Sequence, residues 1–490
     1  MSWLGRIRSV RKSTLIIAIA LAASLLNLPP LLAIANHVHA NTGHDFLLVF
    51  AAAAAIRDHQ NPYDAATFLR YALATGIPRV LLVNSQGVLG QPYVYPPLFA
   101  WLVIPLTSLS PHSALFVWRI VCMGSIALGT MGLMTPWARE RASGVLASRA
   151  NRLLLAALVT TSPMAFYCIY WGNAVAISYA AIGASVWALS QRSQRADVLA
   201  GVLMAGALLK PQLTLPLALL GVVCLARGKN FSTRVKRIAL GLGVTTGLLL
   251  VLDVLVTGPA LLLAWPGAVR SLTTVPQPDM PSLAGLLRLW LLQTSYTVER
   301  RTPYVVLFLG FVAAILVYWR CATRWPPERL WAMLTVLWCF ATPYSHGNDD
   351  LLYIPGALVL VAALPELLAR VRTAWRGMST WTRLAGALPL GVALVALALL
   401  WRGAVLNLDI IFSPNYAARE RVARWLVAHI SLFALAPTAL LVALVTYELW
   451  GRRDLPVATG DGPTHGMRNE MPLERPREGA RTVHSGQAGT

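Results

Sequence analysis

The chain has 490 residues, of which 57% are hydrophobic and only 12% charged. A soluble domain carries about a quarter charged residues, so a soluble globular fold is excluded. A formal net charge of +21 would suggest nucleic acid in a soluble protein, but here the arginines cluster in short segments between apolar runs, where they set topology and meet anionic lipid. Five cysteines (Cys122, Cys168, Cys224, Cys321 and Cys339) lie in or beside apolar runs with no CxxC and no paired spacing, which gives no disulfide framework and no zinc site.

In chain order, the N-terminus has a basic start, an apolar core and a small-residue end at Val38-His39-Ala40, the pattern of a signal peptide. The run 14–35 is nevertheless long enough to span a bilayer and many spans follow, so it reads as a retained first helix. Basic segments at 1–12, 136–152, 191–197, 226–237, 320–329, 369–383 and from 451 onward mark the cytoplasmic side. One threading satisfies them: spans near 14–35, 112–135, 151–170, 173–190, 197–209, 211–226, 238–257, 303–320, 328–342, 351–369, 384–406 and 428–449. That predicts an all-α polytopic membrane protein with about twelve crossings and both termini inside.

Several stretches depart from simple spans. Residues 97–109 are apolar but short of the roughly 17–25 residues a spanning helix needs, so they read as a re-entrant or interfacial helix. The short runs 197–209 and 211–226 meet at Lys210-Pro211-Gln212; such broken helices are tolerated where they line a cavity within the protein. The outer segments 36–96, with a helix predicted over 44–60, and 258–302 are too long for simple connections and read as functional. The chain thus divides into a multi-span domain, 1–450, and a polar tail, 451–490, rich in Gly, Pro, Arg and Glu, which reads as a disordered cytoplasmic tail.

Polar residues able to do chemistry gather on the outer side: His44, Asp45, Asp58, Asn61, Tyr63 and Asp64, then Tyr93 and Tyr95, then Asn173, Lys210 and Gln212, and finally His346, Asn348, Asp349 and Asp350. Ionisable groups at membrane depth are costly and are functional candidates by default. Each has a plainer reading. Thr42-Gly43-His44-Asp45 fits a capping box in which the acid bonds back to the helix start; Asp58 and Asp64 solvate or end helices; Asn61-Pro62-Tyr63-Asp64 is a turn signal; Lys210 can snorkel to the interface; Asp349 and Asp350 can cap the following helix. His37, His39 and His44 with Asp45 have metal-like spacing but lack a clear fourth ligand. Asp253, near the outer end of its span, calls for an interior partner that the sequence does not name.

The run His44-Asp45-Phe46 … Asn61-Pro62-Tyr63, then Tyr95-Pro96-Pro97-Leu98-Phe99, Gly172-Asn173, Leu209-Lys210-Pro211-Gln212 and Thr342-Pro343-Tyr344-Ser345-His346 resembles glycosyltransferase family 87 of the GT-C superfamily, which includes polyprenyl-phosphomannose-dependent mannosyltransferases. The resemblance covers residues 14 to 405. It implies a GT-C-like fold, an active site on the non-cytoplasmic face, a polyprenyl-monophosphate sugar donor, inversion at the anomeric carbon and no metal cofactor. Asp45 falls on the family's first-loop catalytic aspartate; its successor Phe46 departs from the paired acids of other superfamily branches.

The residue types suit that chemistry. Inverting transfer needs a base for the acceptor hydroxyl, a role a positioned carboxylate such as Asp45 can fill. The phosphate leaving group needs cations and donors; Lys210, His346 and Arg270 are the candidates. His44, Tyr63, Tyr95, Asn173, Gln212, Asn348 and Asp349 are candidates for contacting the substrates. The expected partners are the lipid-linked donor, a glycolipid or glycan acceptor and the bilayer, with no nucleic acid. Composition rich in Arg, Ala and Leu suits a high-GC bacterium, and hence its inner (plasma) membrane. A secondary transporter or lipid-linked-sugar flippase is the main rival, since twelve spans with both termini inside is common there, and a non-catalytic membrane scaffold is a third reading.

Overall fold

The structure is a computed structural model describing residues 43–83, 92–140, 146, 148–228, 230–272, 283, 296–342, 347–375, 380, 383–384, 387–397 and 432–450. The predicted first span, residues 14–35, the tail 451–490 and the histidines His37 and His39 lie outside the described residues.

Among the described residues the chain is helical and has no strand. The first long helix is α1 (His44–Arg57), followed by α2 (Ala65–Ala74) and a single turn, Arg79–Leu82. Then come α3 (Pro97–Val103), which tightens into a 3₁₀ turn at Ile104–Ser108, α4 (Pro111–Glu140), α5 (Arg149–Thr160) and α6 (Pro163–Trp171). The middle of the chain holds α7 (Val175–Ser190), α8 (Gln194–Met204) with its 3₁₀ continuation Ala205–Leu209, α9 (Pro211–Leu225), α10 (Phe231–Thr257) and α11 (Pro259–Leu272). The last part holds α12 (Tyr296–Cys321), α13 (Pro327–Ala341), a 3₁₀ turn Gly347–Tyr353, α14 (Ile354–Trp375), α15 (Ala387–Leu397) and α16 (Leu432–Trp450).

Among the described residues three helices are long and apolar enough to cross a membrane, over Pro111–Pro136, Phe231–Thr257 and Asp349–Thr373; other apolar helices there are shorter. The described helices thus bear out a helical membrane protein without confirming the roughly twelve crossings expected from hydropathy, several of which are interrupted. The reason is local chemistry. The predicted span 151–170 is cut in two because Ser162 caps a new helix, accepting from the Ala165 N–H, and Pro163 occupies its first position; proline suits a first turn but not an interior. Likewise 197–226 is broken at Lys210-Pro211, as expected. The stretch Pro97–Ser108 is short, also as expected.

α10 runs 27 residues, about 40 Å at 1.5 Å per residue, against a hydrocarbon core of about 30 Å. It exposes Leu240, Val244, Leu248, Val251 and Leu255, an apolar stripe at helical spacing that suits a lipid environment. α4 and α7 are the most closely packed pair, and glycines allow it: a Cβ on Gly183 would collide with the carbonyl oxygen of Gly129. Gly201 and Gly241 do the same between α8 and α10. Small residues at such crossings let backbones approach, which is how helices associate where lipid removes the hydrophobic drive.

Candidate active site

The polar residues of interest stand at helix ends and breaks. Asp45 is the second residue of α1, whose N-cap is Gly43 in a left-handed conformation (φ 77°) with no side-chain cap hydrogen bond. The Asp45 carboxylate reaches across 128 residues of sequence: Asn173 Nδ2 donates to Asp45 Oδ2 at 2.6 Å.

Asn173 is 3% exposed and held from several sides. Its Oδ1 accepts from the Val175 N–H at 2.9 Å, which fixes the amide so that Nδ2 faces Asp45. Its backbone N–H donates to the Cys168 carbonyl at 3.0 Å, closing α6. Gly172 before it is the left-handed C-cap (φ 66°), and its carbonyl accepts from Trp118 Nε1 at 2.8 Å. A Cβ on Gly172 would lie 2.6 Å from the Cβ of Phe46, so only glycine lets α1 come close enough for Asp45 to meet Asn173. Phe46 stacks on Trp118 with centroids 5.2 Å apart, and His44 packs edge-on to Trp171 at 6.0 Å.

The second cluster joins the break before α9 to the turn before α14. Lys210 Nζ and Asp349 Oδ1 are 2.6 Å apart, with side chains 11% and 0% exposed. Thr214 secures the break by donating to the Lys210 carbonyl at 2.8 Å and the Ala207 carbonyl at 2.6 Å. A buried lysine and a buried aspartate would each be costly alone; paired, they neutralise one another.

Tyr95 connects the two clusters. Burial, then the carboxylates of Asp45 and Asp349, push its phenol well above the ordinary tyrosine value, keeping it a protonated donor. Its backbone is held by Tyr63, whose hydroxyl donates to the Tyr95 carbonyl at 2.7 Å, and its ring lies against Phe99 at 5.4 Å. Tyr63 is likewise pushed up, by burial first and the nearby Asp253 second. Asp45 thus meets Asn173, Lys210 meets Asp349, and Tyr95 lies within electrostatic reach of both carboxylates.

Other candidates fall elsewhere. Asp64 caps α2, accepting from the Thr67 N–H at 2.8 Å. Asp58 pairs with Arg57 at 2.9 Å and accepts from the Tyr71 hydroxyl at 2.9 Å on an exposed surface; these bonds hold it below the ordinary carboxylate value. Asn61 Oδ1 accepts from the Tyr63 N–H at 2.9 Å, an Asx turn. The side chains of Gln212, Arg270 and Asn348, and His346 as a whole, lie outside the described residues. Sequence reading missed Trp118 and Trp265, whose indoles hold the Gly172 and Val94 carbonyls at 2.8 Å; nothing local distinguishes them from other tryptophans at span ends. No cluster of three or more His, Cys, Asp or Glu suited to a metal occurs among the described residues.

Among the described residues the chain is helical, with apolar helix faces exposed and polar side chains at helix junctions, as in a membrane protein. The model of glycosyltransferase family 87 matches residues 93–345, more than half of the 490 residues, and the chain belongs to that family. No curated protein shows a significant match to it.

Proposed function

We propose that the chain moves a hexose, mannose first among the candidates, from a polyprenyl-monophosphate donor to a glycolipid or glycan acceptor, with inversion and without a metal. The reaction takes place on the non-cytoplasmic face of a bacterial plasma membrane, with both termini cytoplasmic. The observation that carries this reading is the 2.6 Å hydrogen bond from Asn173 to Asp45, a carboxylate held in one orientation beside a buried lysine pair.

In this reading Asp45 is the general base. The acceptor hydroxyl gives its proton to the Asp45 carboxylate as its oxygen bonds to the anomeric carbon. The anomeric carbon–oxygen bond to phosphate breaks on the opposite face, its electron pair goes to the phosphate oxygen, and polyprenyl monophosphate leaves. Asn173 supplies the orientation that spares the base from reorganising during the reaction. Lys210 has three ammonium donors; Asp349 takes one and fixes the group, and the others serve the departing phosphate. Arg270 and His346, which lie outside the described side chains, are proposed for the same anion from the sequence alone. His44, Tyr63, Tyr95, Gln212 and Asn348 contact the substrates, Tyr95 through its protonated hydroxyl and ring face.

The test is a panel of synthetic polyprenyl-phosphate sugars offered to the purified protein with glycolipid acceptors, the product's anomeric configuration being read by NMR. One donor turned over with inversion supports the proposal. A retained configuration contradicts the single-base mechanism, and use of nucleotide sugars alone contradicts the lipid donor.

A further inference from the structure

The end of α6 meets a general difficulty. The last carbonyls of a helix have no intrahelical donor, and in a bilayer core no water stands in for one. The turn itself takes two of them: the Gly172 N–H donates to the Ile169 carbonyl at 3.2 Å, and the Asn173 N–H to the Cys168 carbonyl at 3.0 Å. Two more accept from consecutive residues of α4. Arg119 Nη2 donates to the Tyr170 carbonyl at 3.3 Å, and Trp118 Nε1 to the Gly172 carbonyl at 2.8 Å.

Trp118 has a second contact that a cap alone does not need. It is buried, and its indole face stacks on Phe46, with centroids 5.2 Å and planes 25° apart. Phe46 follows Asp45 in α1, and Gly172 precedes Asn173 at the end of α6. One rigid side chain therefore touches the chain neighbour of the carboxylate and the chain neighbour of the amide that binds it. It does so by two different handles, a ring face and an N–H. Its Cδ1 edge is so close to α6 that a Cβ on Gly172 would lie 3.1 Å from it. On a third side the indole meets Phe99 of α3 at 5.9 Å, which itself lies against Tyr95.

We infer that Trp118 is a positioning residue that sets the separation of Asp45 and Asn173. Its N–H acts through Asn173, its ring acts through Phe46, and it touches no substrate. The catalytic consequence rests on the transferase reading above; the seating of α6 does not.

The experiment separates the two handles in the full chain in lipid nanodiscs. Trp118→Phe keeps a ring against Phe46 and removes the N–H; Phe46→Leu keeps the N–H and removes the stack. Each is expected to lower kcat by about tenfold, the scale of one buried hydrogen bond or one aromatic pair. Donor KM should stay within about twofold, the split that separates lost geometry from lost binding. The Trp118→Phe loss should vanish when Asn173 is already alanine, as residues acting through one another require. Hydrogen–deuterium exchange over residues 168–176 should quicken by about fivefold or more in Trp118→Phe, as the end of α6 opens more often. Phe46→Leu carries the kinetic arm should Trp118→Phe not fold. Wild-type kcat in either variant, a loss expressed in KM alone, or an undiminished Trp118→Phe loss in the Asn173→Ala background would overturn the inference. A wild type that transfers nothing would sink the transferase reading, while the exchange comparison would still decide the seating, unchanged exchange in Trp118→Phe counting against it.

Discussion

At the scale of single residues, a hydrogen bond of 2.6 Å from a neutral amide to a carboxylate is short and charge-assisted, and it confers geometry more than stability. Removing its donor should leave Asp45 in place but less tightly oriented. Asn173→Ala is expected to lower kcat by about 10²-fold, the scale of a 1 Å misplacement of a reacting group, with donor KM little changed, as steady-state kinetics would report. The Lys210–Asp349 pair behaves differently. Truncating one member of a buried pair strands the other and costs about 3–5 kcal/mol, whereas replacing both by apolar groups is often close to neutral. Lys210→Met should therefore lower the unfolding midpoint in detergent, and Lys210→Met with Asp349→Leu should restore it. Transfer should stay lost in both, because the phosphate has lost its cation. The sequence exposed Asp45, Lys210 and Asp349 as unusual residues in an apolar chain, whereas Asp64, read as solvating or ending the helix before it, caps the helix after it. What it did not disclose was who meets whom. Partners 128 and 139 residues apart are joined only by packing.

At the scale of elements, the site depends on where helices stop. Gly172 ends α6 in a left-handed turn, and Asn173 begins the next segment aimed at α1. Gly172→Ala brings two penalties. The left-handed conformation costs a residue with a Cβ about 1–2 kcal/mol, and the added carbon would meet Phe46 Cβ at 2.6 Å. The variant is expected to fold with a lowered unfolding midpoint and to lose transfer as severely as Asn173→Ala, measured side by side. If it keeps full transfer, the close approach of α1 is dispensable. Proline explains why some elements were legible and others were not. Pro97 and Pro211 open helices where the sequence indicated breaks, while Pro163 divides a run whose hydropathy alone looked like one span. Hydropathy averages over a window, and a cap such as Ser162-Pro163 acts within three residues. The apolar face of α10, by contrast, followed directly from its composition.

At the scale of the whole molecule, two halves of the reading had different sources. Composition and periodicity established a helical membrane protein, and the ordered motifs from Tyr95-Pro96-Pro97 to Thr342-Pro343-Tyr344 pointed to the family now matched over residues 93–345. Asp45 lies upstream of that matched region and meets Asn173, which is within it. In the proposed mechanism everything turns on the carboxylate brought to Asn173 being the base of the transfer reaction. The most direct measurement is sugar transfer by purified wild type and Asp45→Asn from the same polyprenyl-phosphate donor, with donor affinity measured in parallel. The account predicts that Asp45→Asn binds the donor as wild type does and turns it over at least 10³-fold more slowly, the upper part of the range for general-base loss. Transfer by Asp45→Asn at the wild-type rate would contradict it.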